Sequence, residues 1–275
     1  MNLRADISSL LDENQIDTAL SLAKDQVKSS PSDKEARHLY IDLLILARDY
    51  EKADAQCGLA ATFSPQDSVG FSLLRQQLRA MAARDAWFTK GAVPEFPSGP
   101  SELDQLAIKA NIAARESNII ECADTLSELD EKRGDVSMFV NGKKVSDIRD
   151  LDDRVPHALE VLTNGGRYLW IGFDRIESLT IGAMTRPRDL AYRDAELTLK
   201  DGAVASILVP AIYHGEDKAA VLLLGRETRW DEDSSPLVTG QGQRCFLVGD
   251  DLMPFHEITS ITASPAKDER KIARG

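Results

Sequence analysis

The chain has 275 residues, 43% of them hydrophobic, and is therefore long enough for two domains with packed cores. Its 33 Lys and Arg against 45 Asp and Glu give a net charge of −12. Acidic residues are in excess in residues 1–134 (22 against 15 basic) and in residues 135–275 (23 against 18). An acidic surface on both halves disfavours binding to nucleic acid or to anionic membranes.

Cysteine usage and the N-terminus indicate a cytoplasmic protein. Cys57, Cys122 and Cys245 are far apart and lack CxxC spacing, which is typical of reduced thiols and not of a disulfide framework or a zinc site. The first residues lack the apolar core of a secretory signal, and no apolar run is long enough to span a membrane. The four histidines are not at ligand spacing, so we expect no metal and no other cofactor.

The most informative pattern is an echo at 34 residues. Residues 15–33 are echoed in residues 49–67, which aligns Ile16 with Tyr50 and Ala19 with Ala53. This is the period of the tetratricopeptide repeat, a helix pair that buries its apolar face by stacking on neighbouring pairs. The echo predicts stacked helical hairpins, which usually bind other proteins.

Apolar residues at helical spacing place the helices of this half. They predict helices over residues 3–11, 16–27, 34–46 and 50–62, and a longer helix that ends near Trp87 or Phe88. Residues 91–100 contain three prolines and two glycines, which predicts a loop. Ser101 is a suitable N-cap for a further helix, Ile119–Leu129 supply its partner, and Gly134 ends the helical half.

From Val136 onward the apolar period changes from that of a helix to that of a strand. Asp201-Gly202 between two alternating runs predicts a β-hairpin, because glycine accepts a positive φ. One helix, over Val155–Thr163, is expected among the strands. The predicted strands are Ser137–Val140, Arg167–Phe173, Ala195–Lys200, Ala203–Val209, Cys245–Val248, Leu252–Phe255 and Ile258–Ile261.

Together these patterns predict an α+β fold with two parts. Residues 1–134 form a tetratricopeptide-like domain of helical hairpins, and residues 135–262 form a smaller, mainly β domain. Residues 263–275 are charged and aperiodic, and we expect a disordered tail there.

The chain carries no common catalytic signature. GxGxxG, GxxxxGK[ST], GxSxG and HExxH are all absent. Two carboxylate clusters, at residues 150–153 and 231–233, lack the glycine and terminal glutamate of a calcium loop. We interpret the first as a charge group at the N-terminus of the helix expected from Val155, and the second as a solvated turn.

Aromatic and arginine residues of the second domain are the remaining candidates. Alternation along a strand puts Tyr168 and Trp170 on one face, where burial is the commoner outcome and an aromatic binding surface is the alternative. Arg226 and Arg244 accompany Trp230, and arginine near aromatic residues either pairs with carboxylates inside a fold or binds an anion.

At these residues the chain resembles a known family, ImpE/TagJ, also called SciE type. The resemblance spans nearly the whole of the second domain, and the helical half has the expected place and length. It is carried by residues 151–154 (LDDR), 159–160 (LE), 166–173 (GRYLWIGF), 187–190 (PRDL), 207–210 (ILVP), 213–215 (YHG), 224–230 (LGRETRW) and 240–244 (GQGQR).

The resemblance implies an accessory protein of the bacterial type VI secretion system without enzymatic activity. It also implies partners: the small sheath subunit TssB, through its N-terminal helix, and a link to the sheath-disassembling ATPase ClpV. Independently of the resemblance, a groove between stacked hairpins suits an amphipathic helix. We therefore expect a cytoplasmic adaptor that tunes sheath assembly or recycling.

Two surfaces are open for the partner helix: a groove lined by the first helix of each hairpin, with Ile7 and His38 among its residues, and the aromatic sheet around Trp170 and Trp230. One alternative function is a hydrolase or transferase with a site between the carboxylates and Arg226 or Arg244. Another is a scaffold for an acidic C-terminus, for which Arg37 is a further candidate. The expected partner-binding residues are Tyr40, Arg75, Arg79, Tyr168, Trp170, Arg226, Trp230 and Arg244.

Overall fold

A computed structural model of the protein describes residues 2–63, 65–231 and 235–265. Its N-terminal part is helical, as the apolar periodicity predicts. Its seven helices, counted over the described residues, are α1 Leu3–Asp12, α2 Ile16–Ser29, α3 Lys34–Leu46, α4 Tyr50–Phe63, α5 Ser68–Lys90, α6 Glu102–Arg115 and α7 Ile119–Arg133.

The echo at 34 residues corresponds to a structural repeat. Helices α2 and α4 have 14 residues each and begin at the aligned positions Ile16 and Tyr50. Ala19 and Ala53 are fully buried, because small side chains at these positions let neighbouring helices approach closely. The prediction of stacked hairpins is confirmed.

The third repeat lacks its second helix. Helix α5 extends to Lys90 and ends at Gly91, whose φ of +70° is the left-handed conformation of a helix C-cap. The chain then crosses to the β-sheet, where the amide of Glu95 donates to the carbonyl of Tyr168 at 2.9 Å. Ser101 caps α6 in a capping box with Asp104, and α6 and α7 form a further hairpin.

The C-terminal part is mainly β. It contains one short helix, α8 Ala220–Leu223, among its described residues. The strands are β1 Met138–Val140, β2 Lys143–Val145, β3 Ile148–Asp150, β4 Ala158–Thr163, β5 Tyr168–Gly172, β6 Ile176–Ile181, β7 Tyr192–Leu199, β8 Val204–Pro210, β9 Ile212–Tyr213, β10 Thr228–Asp231, β11 Thr239–Gln243, β12 Cys245–Val248, β13 Asp251–Pro254 and β14 Ser260–Thr262. The α+β fold is confirmed.

All strand pairs among the described residues are antiparallel. The main sheet has the order β2-β1-β14-β6-β7-β8-β4-β5, beside two three-stranded sheets, β10-β11-β9 and β13-β12-β3. The hairpin of β7 and β8 turns at Asp201-Gly202 as predicted, with Gly202 at φ +91°.

The expected helix over Val155–Thr163 is wrong. Residues from Ala158 form β4, which pairs with β5 on one side and β8 on the other. Both faces of β4 are buried, so its apolar and polar residues do not alternate. A short apolar run of this kind has no period that separates a buried strand from a helix.

The two parts share their interior. Tyr192, Leu208 and Ile212 of the β part belong to the same buried cluster as helices α1–α5. A second shared cluster packs Trp87 against Tyr168 and Trp170. A third cluster lies within the β part, around Phe246 and Phe255. The boundary at residue 134 stays a prediction.

The expected tail, residues 263–275, is only partly described. Ala263, its first residue, donates its amide hydrogen to the carbonyl of Glu177 at 2.9 Å and packs against the β core. Residues 266–275 lie outside the described residues.

Candidate partner-binding groove and the buried charge network

The eight residues expected to bind a partner do not form one surface. Tyr168, Trp170 and Arg244 are buried in the interior, at 3%, 1% and 0% exposure. The others lie apart. Tyr40 is in a groove of the helical part, Arg75 and Arg79 are on α5, Arg226 follows α8, and Trp230 is on β10.

Tyr168 and Trp170 lie between the helices and the main sheet. The ring of Trp170 meets Trp87 of α5 edge to face, with centroids 5.0 Å apart. Its indole N–H donates to the hydroxyl of Tyr168 at 2.7 Å, and that hydroxyl donates to Glu160 at 2.6 Å. The two residues form an internal contact between the two parts. Of the two outcomes expected from the sequence, burial is therefore the one observed.

Arg244 is part of a buried charge network. Its Nε donates to Asp150 at 2.6 Å, and its Nη1 lies 3.3 Å from Glu160. Arg84 of α5 reaches the same Glu160 with two hydrogen bonds, at 2.8 and 3.0 Å. The hydroxyl of Tyr213 donates to the other oxygen of Asp150 at 2.8 Å. Arg84 therefore ties the longest helix to the sheet by charge.

The two carboxyls of this network differ in pKa. Burial by itself raises the pKa of Glu160, but Arg84 and Arg244 outweigh it and lower the pKa to about 2. Burial raises the pKa of Asp150 to about 6, because Arg244 opposes it only in part and Asp152 adds a like charge. Glu160 is therefore ionised at neutral pH, as a partner of two arginines must be.

The surroundings of Arg244 bear on the alternative of an enzyme site. The cavity beside it measures about 10 Å³. That volume takes one water molecule and not a substrate. Arg226, the other arginine of that alternative, donates to the carbonyl of Leu11 and to Asp12 of α1, at 3.2 and 3.0 Å.

The first carboxylate cluster does not precede a helix, so the interpretation as a helix N-terminal charge group is wrong. Asp150 pairs with Arg244, Asp152 with Arg154 and Asp153 with Arg149. All three carboxylates pair with arginines, and the element that follows them is the strand β4, not a helix. Most of the second cluster, Glu232 and Asp233, lies outside the described residues.

Helix α5 carries the two arginines expected in the groove, but on another face. Arg75 makes two hydrogen bonds to Asp54 of α4, at 2.7 and 2.9 Å. Arg79 is exposed and donates to Gln76. Neither lines the groove of the helical part.

Three further residues named from sequence are also outside the groove. Ile7 is buried, and His38 stacks on Phe71 at 4.7 Å. Arg37 is buried and donates to Gln56 and to the carbonyl of Pro31.

An open groove of about 670 Å³ lies in the helical part. Its wall is shared by α2, α3, the start of α4, α5 and the α3–α4 loop, and Lys218 reaches it from the β part. Tyr40 and Leu44 are buried at its base, and Tyr50 is half-buried beside them. We call this surface the helical groove; it is lined by Asp17, Leu20, Ser21, Lys24, Tyr40, Leu44, Ala47, Arg48, Asp49, Tyr50, Glu51, Lys52, Ala82, Asp85, Ala86, Thr89, Lys90 and Lys218.

Contacts to the β part fix the shape of the helical groove. The hydroxyls of Tyr50 and Tyr192 are 2.7 Å apart, and Arg48 donates to the carbonyls of Tyr213 and Gly215. Asp85 on α5 forms a 2.9 Å contact with His214. These groups are committed to the fold, so they hold the rim in place and do not recognise a ligand.

Other charged groups of the helical groove are open to a partner. Within the described chain, Lys24 and Lys90 form no ion pair, and neither do Asp17 and Glu51. Such a mixture of charges around an apolar base suits an amphipathic segment.

Sequence reasoning found Tyr40 but missed Tyr50 as a groove residue. A signal was present, because Tyr50 aligns in the repeat with Ile16, which is buried, and a tyrosine there carries a hydroxyl that needs a partner.

The described residues contain no cluster of three or more His, Cys, Asp or Glu that could hold a metal ion. None of the described helices is both long and apolar enough to cross a membrane.

Comparison with known proteins gives three similarities. The sequence model of the ImpE protein family matches residues 142–262, which is nearly the whole β part. The type VI secretion system accessory component TagJ of Pseudomonas aeruginosa is 28% identical over 247 residues, which cover 86% of this chain and 84% of that protein. A crystal structure of a Vibrio parahaemolyticus protein superposes with a TM-score of 0.85 at 25% identity, and covers 97% of this chain and 99% of that one. The resemblance found in the sequence is confirmed: the β part matches the ImpE family, and most of the chain is similar to TagJ.

Proposed function

We propose that this protein, an accessory component of a type VI secretion system, is a non-enzymatic cytoplasmic adaptor that binds the N-terminal helix of the sheath subunit TssB in its helical groove. Binding of that helix would tune sheath assembly, or recycling of the sheath by ClpV. The observation that carries the proposal is the open groove between repeat helices, with an apolar base and unpaired charges at its rim.

The physical fit supports a helix as the ligand. An α-helix with its side chains is about 10 Å across and presents apolar residues three and four positions apart. Leu20, Leu44 and the rings of Tyr40 and Tyr50 offer apolar contacts for such a stripe. Lys24, Lys90 and Glu51 can pair with the polar flanks of the helix, which would fix its direction.

The second surface considered from sequence is less suited. Trp170 would have to leave its contacts with Trp87 and Tyr168 before a partner could reach it. Trp230 is half-buried and its ring packs against Tyr213 at 5.5 Å. The helical groove needs no such rearrangement.

Titration calorimetry with a synthetic TssB N-terminal peptide tests the proposal. We expect the wild-type protein to bind and Ala82→Arg to bind at least about tenfold more weakly, a difference of about 1.4 kcal/mol. Ala82 is exposed on the groove wall, so an arginine there fills the groove without disturbing the core.

Ala5→Arg is the matched control, because Ala5 is exposed on α1 and outside the groove. It should bind like the wild type. Absence of binding to the wild-type protein would contradict the choice of partner. Equal binding by wild type and Ala82→Arg would instead contradict the choice of groove.

A further inference from the structure

The end of the repeat stack carries an uncovered apolar face. The third repeat lacks its second helix, and α4 and α5 carry exposed apolar side chains at this end; the guanidinium of Arg37 lies 5.1 Å from the ring centroid of Phe63. Leu59 and Phe63 of α4 and Val69 and Leu73 of α5 are each between 43% and 80% exposed. We call these four residues the repeat end face.

Two glycines indicate that another backbone can approach this face. Gly58 and Gly70 lie inside α4 and α5, where glycine is unfavourable. A Cβ atom at either position would meet no other atom within 4 Å, so packing within the described chain does not require them. Glycine at an uncovered helix surface allows an incoming helix to come close.

A second apolar patch lies at the tip of the α6–α7 hairpin. Ile112, near the end of α6, and Ile119 and Ile120, at the start of α7, are 45%, 64% and 76% exposed. We call these three residues the hairpin tip. Single exposed apolar residues are ordinary, but a group of three large ones marks an interaction site.

The charges beside the two patches are complementary. Arg75 and Arg79 follow Leu73 on α5; Arg75 is paired with Asp54, and Arg79 makes no ion pair among the described residues. Glu116 and Asp124 flank the hairpin tip, and neither forms an ion pair within the same residues. On a chain with a net charge of −12, a local basic rim is the exception, so it selects an acidic partner surface.

We propose that the repeat end face binds the hairpin tip of a second copy of this chain. The two patches belong to different elements, so the contact is head to tail. The pair then keeps one free patch of each kind, and the assembly grows with concentration into a ring or a short filament. This contact leaves the helical groove free for another ligand.

Sedimentation velocity over a range of protein concentrations tests the proposal. We expect the wild-type protein to shift to larger species as its concentration rises. Val69→Glu and Ile120→Glu place a charge in one patch each, at positions that are mostly exposed and thus tolerant for folding. Each variant alone should remain monomeric at concentrations where the wild type associates.

An equimolar mixture of the two variants is the decisive arm. The Val69→Glu copy keeps an intact hairpin tip and the Ile120→Glu copy keeps an intact repeat end face, so the mixture should form a 1:1 dimer and nothing larger. Val204→Glu is the matched control, because Val204 is an exposed apolar residue on β8 and the change adds the same charge. It should associate like the wild type.

Three results would overturn the proposal: a wild-type protein that stays monomeric at every concentration, single variants that associate like the wild type, or a mixture that remains monomeric. Loss of association in Val204→Glu would also overturn it, because the charge alone would then explain the effect. A charge swap gives a further check, since Arg79→Glu should weaken association and the double variant Arg79→Glu/Asp124→Arg should restore it.

Discussion

Arg244 has no exposed surface, and its guanidinium lies between the carboxylates of Asp150 and Glu160. A charge in such a place is stable only while its partners remain, since the desolvation of each ion is offset by the others. Sequence placed Arg244 near aromatic residues and left open whether it pairs internally or binds an anion. Its two partners come from two different strands, β3 and β4, which are distant from it in the chain, and this is why spacing along the chain did not resolve the choice.

Replacing Arg244 tests the energetic weight of the network. Arg244→Met removes the positive charge and leaves two buried carboxylates with less compensation. We therefore expect the free energy of unfolding, measured in urea, to fall by about 3–5 kcal/mol. Arg229→Met is the control, because Arg229 pairs with Asp217 and Glu227 on the surface, where ion pairs contribute little, and should change stability far less. An equal loss of stability in the two variants would show that the buried ion pairs stabilise the fold no more than the surface pairs do.

His256 gives a prediction for acid stability. Burial, with Arg193 nearby, lowers its pKa from 6.5 to about 4. Between these two values the unfolded histidine binds a proton and the folded one does not, so the free energy of unfolding falls as the pH decreases from 6.5 to 4. His256→Leu lacks this contribution. Urea unfolding at a series of pH values should give a flatter acid limb for the variant; parallel curves would contradict the assignment.

At the scale of elements, the helices carry local signals and the strands carry fewer. Ser101 caps α6 as predicted, in a capping box with Asp104, whereas α5 continues past the predicted end near Trp87 or Phe88 and ends at Gly91. The 34-residue echo placed α2 and α4. Strand β4 gave no such signal, because pairing on both edges and burial on both faces remove the alternation that identifies a strand.

The cap of α6 can be tested directly. In Ser101→Ala the amide of Asp104 loses its acceptor at 3.1 Å, so we expect a loss of about 1 kcal/mol in the free energy of unfolding. Ser127→Ala is the control, since Ser127 is exposed inside α7, where alanine is the better helix former. Chemical denaturation of the two variants should separate them; a stability of Ser101→Ala at or above that of the control would rule out the cap as a stabilising feature.

At the scale of the whole molecule, the helical and β parts are joined by a common interior. Tyr192 packs among the helices, Trp87 packs against Trp170 of the sheet, and Arg84 bonds to Glu160 across the same boundary. Sequence patterns change at residue 134 and predict two domains there. The packing shows that neither part buries its apolar surface without the other.

This shared interior predicts a single unfolding transition. Helix content followed by circular dichroism and the fluorescence of the three tryptophans should change at the same urea concentration, because two of them, Trp87 and Trp170, lie in the shared core and losing one part exposes the core of the other. Arg84→Met should lower both midpoints together, as it breaks the charge contact between the parts. Loss of helix signal before the tryptophan signal would show that the helical part unfolds independently.

The sequence by itself determined the repeat, nearly every helix, the hairpin at Asp201-Gly202, the α+β class and the resemblance to the ImpE/TagJ family, because each depends on residues close together in the chain or on a motif read in order. The tertiary structure decided which aromatic and charged residues are inside. Tyr168, Trp170 and Arg244 became internal contacts, while Tyr40 and Tyr50 became the base of a groove. The reason is physical: burial and ion pairing depend on which distant elements meet, and that is fixed only when the helices pack on the sheet.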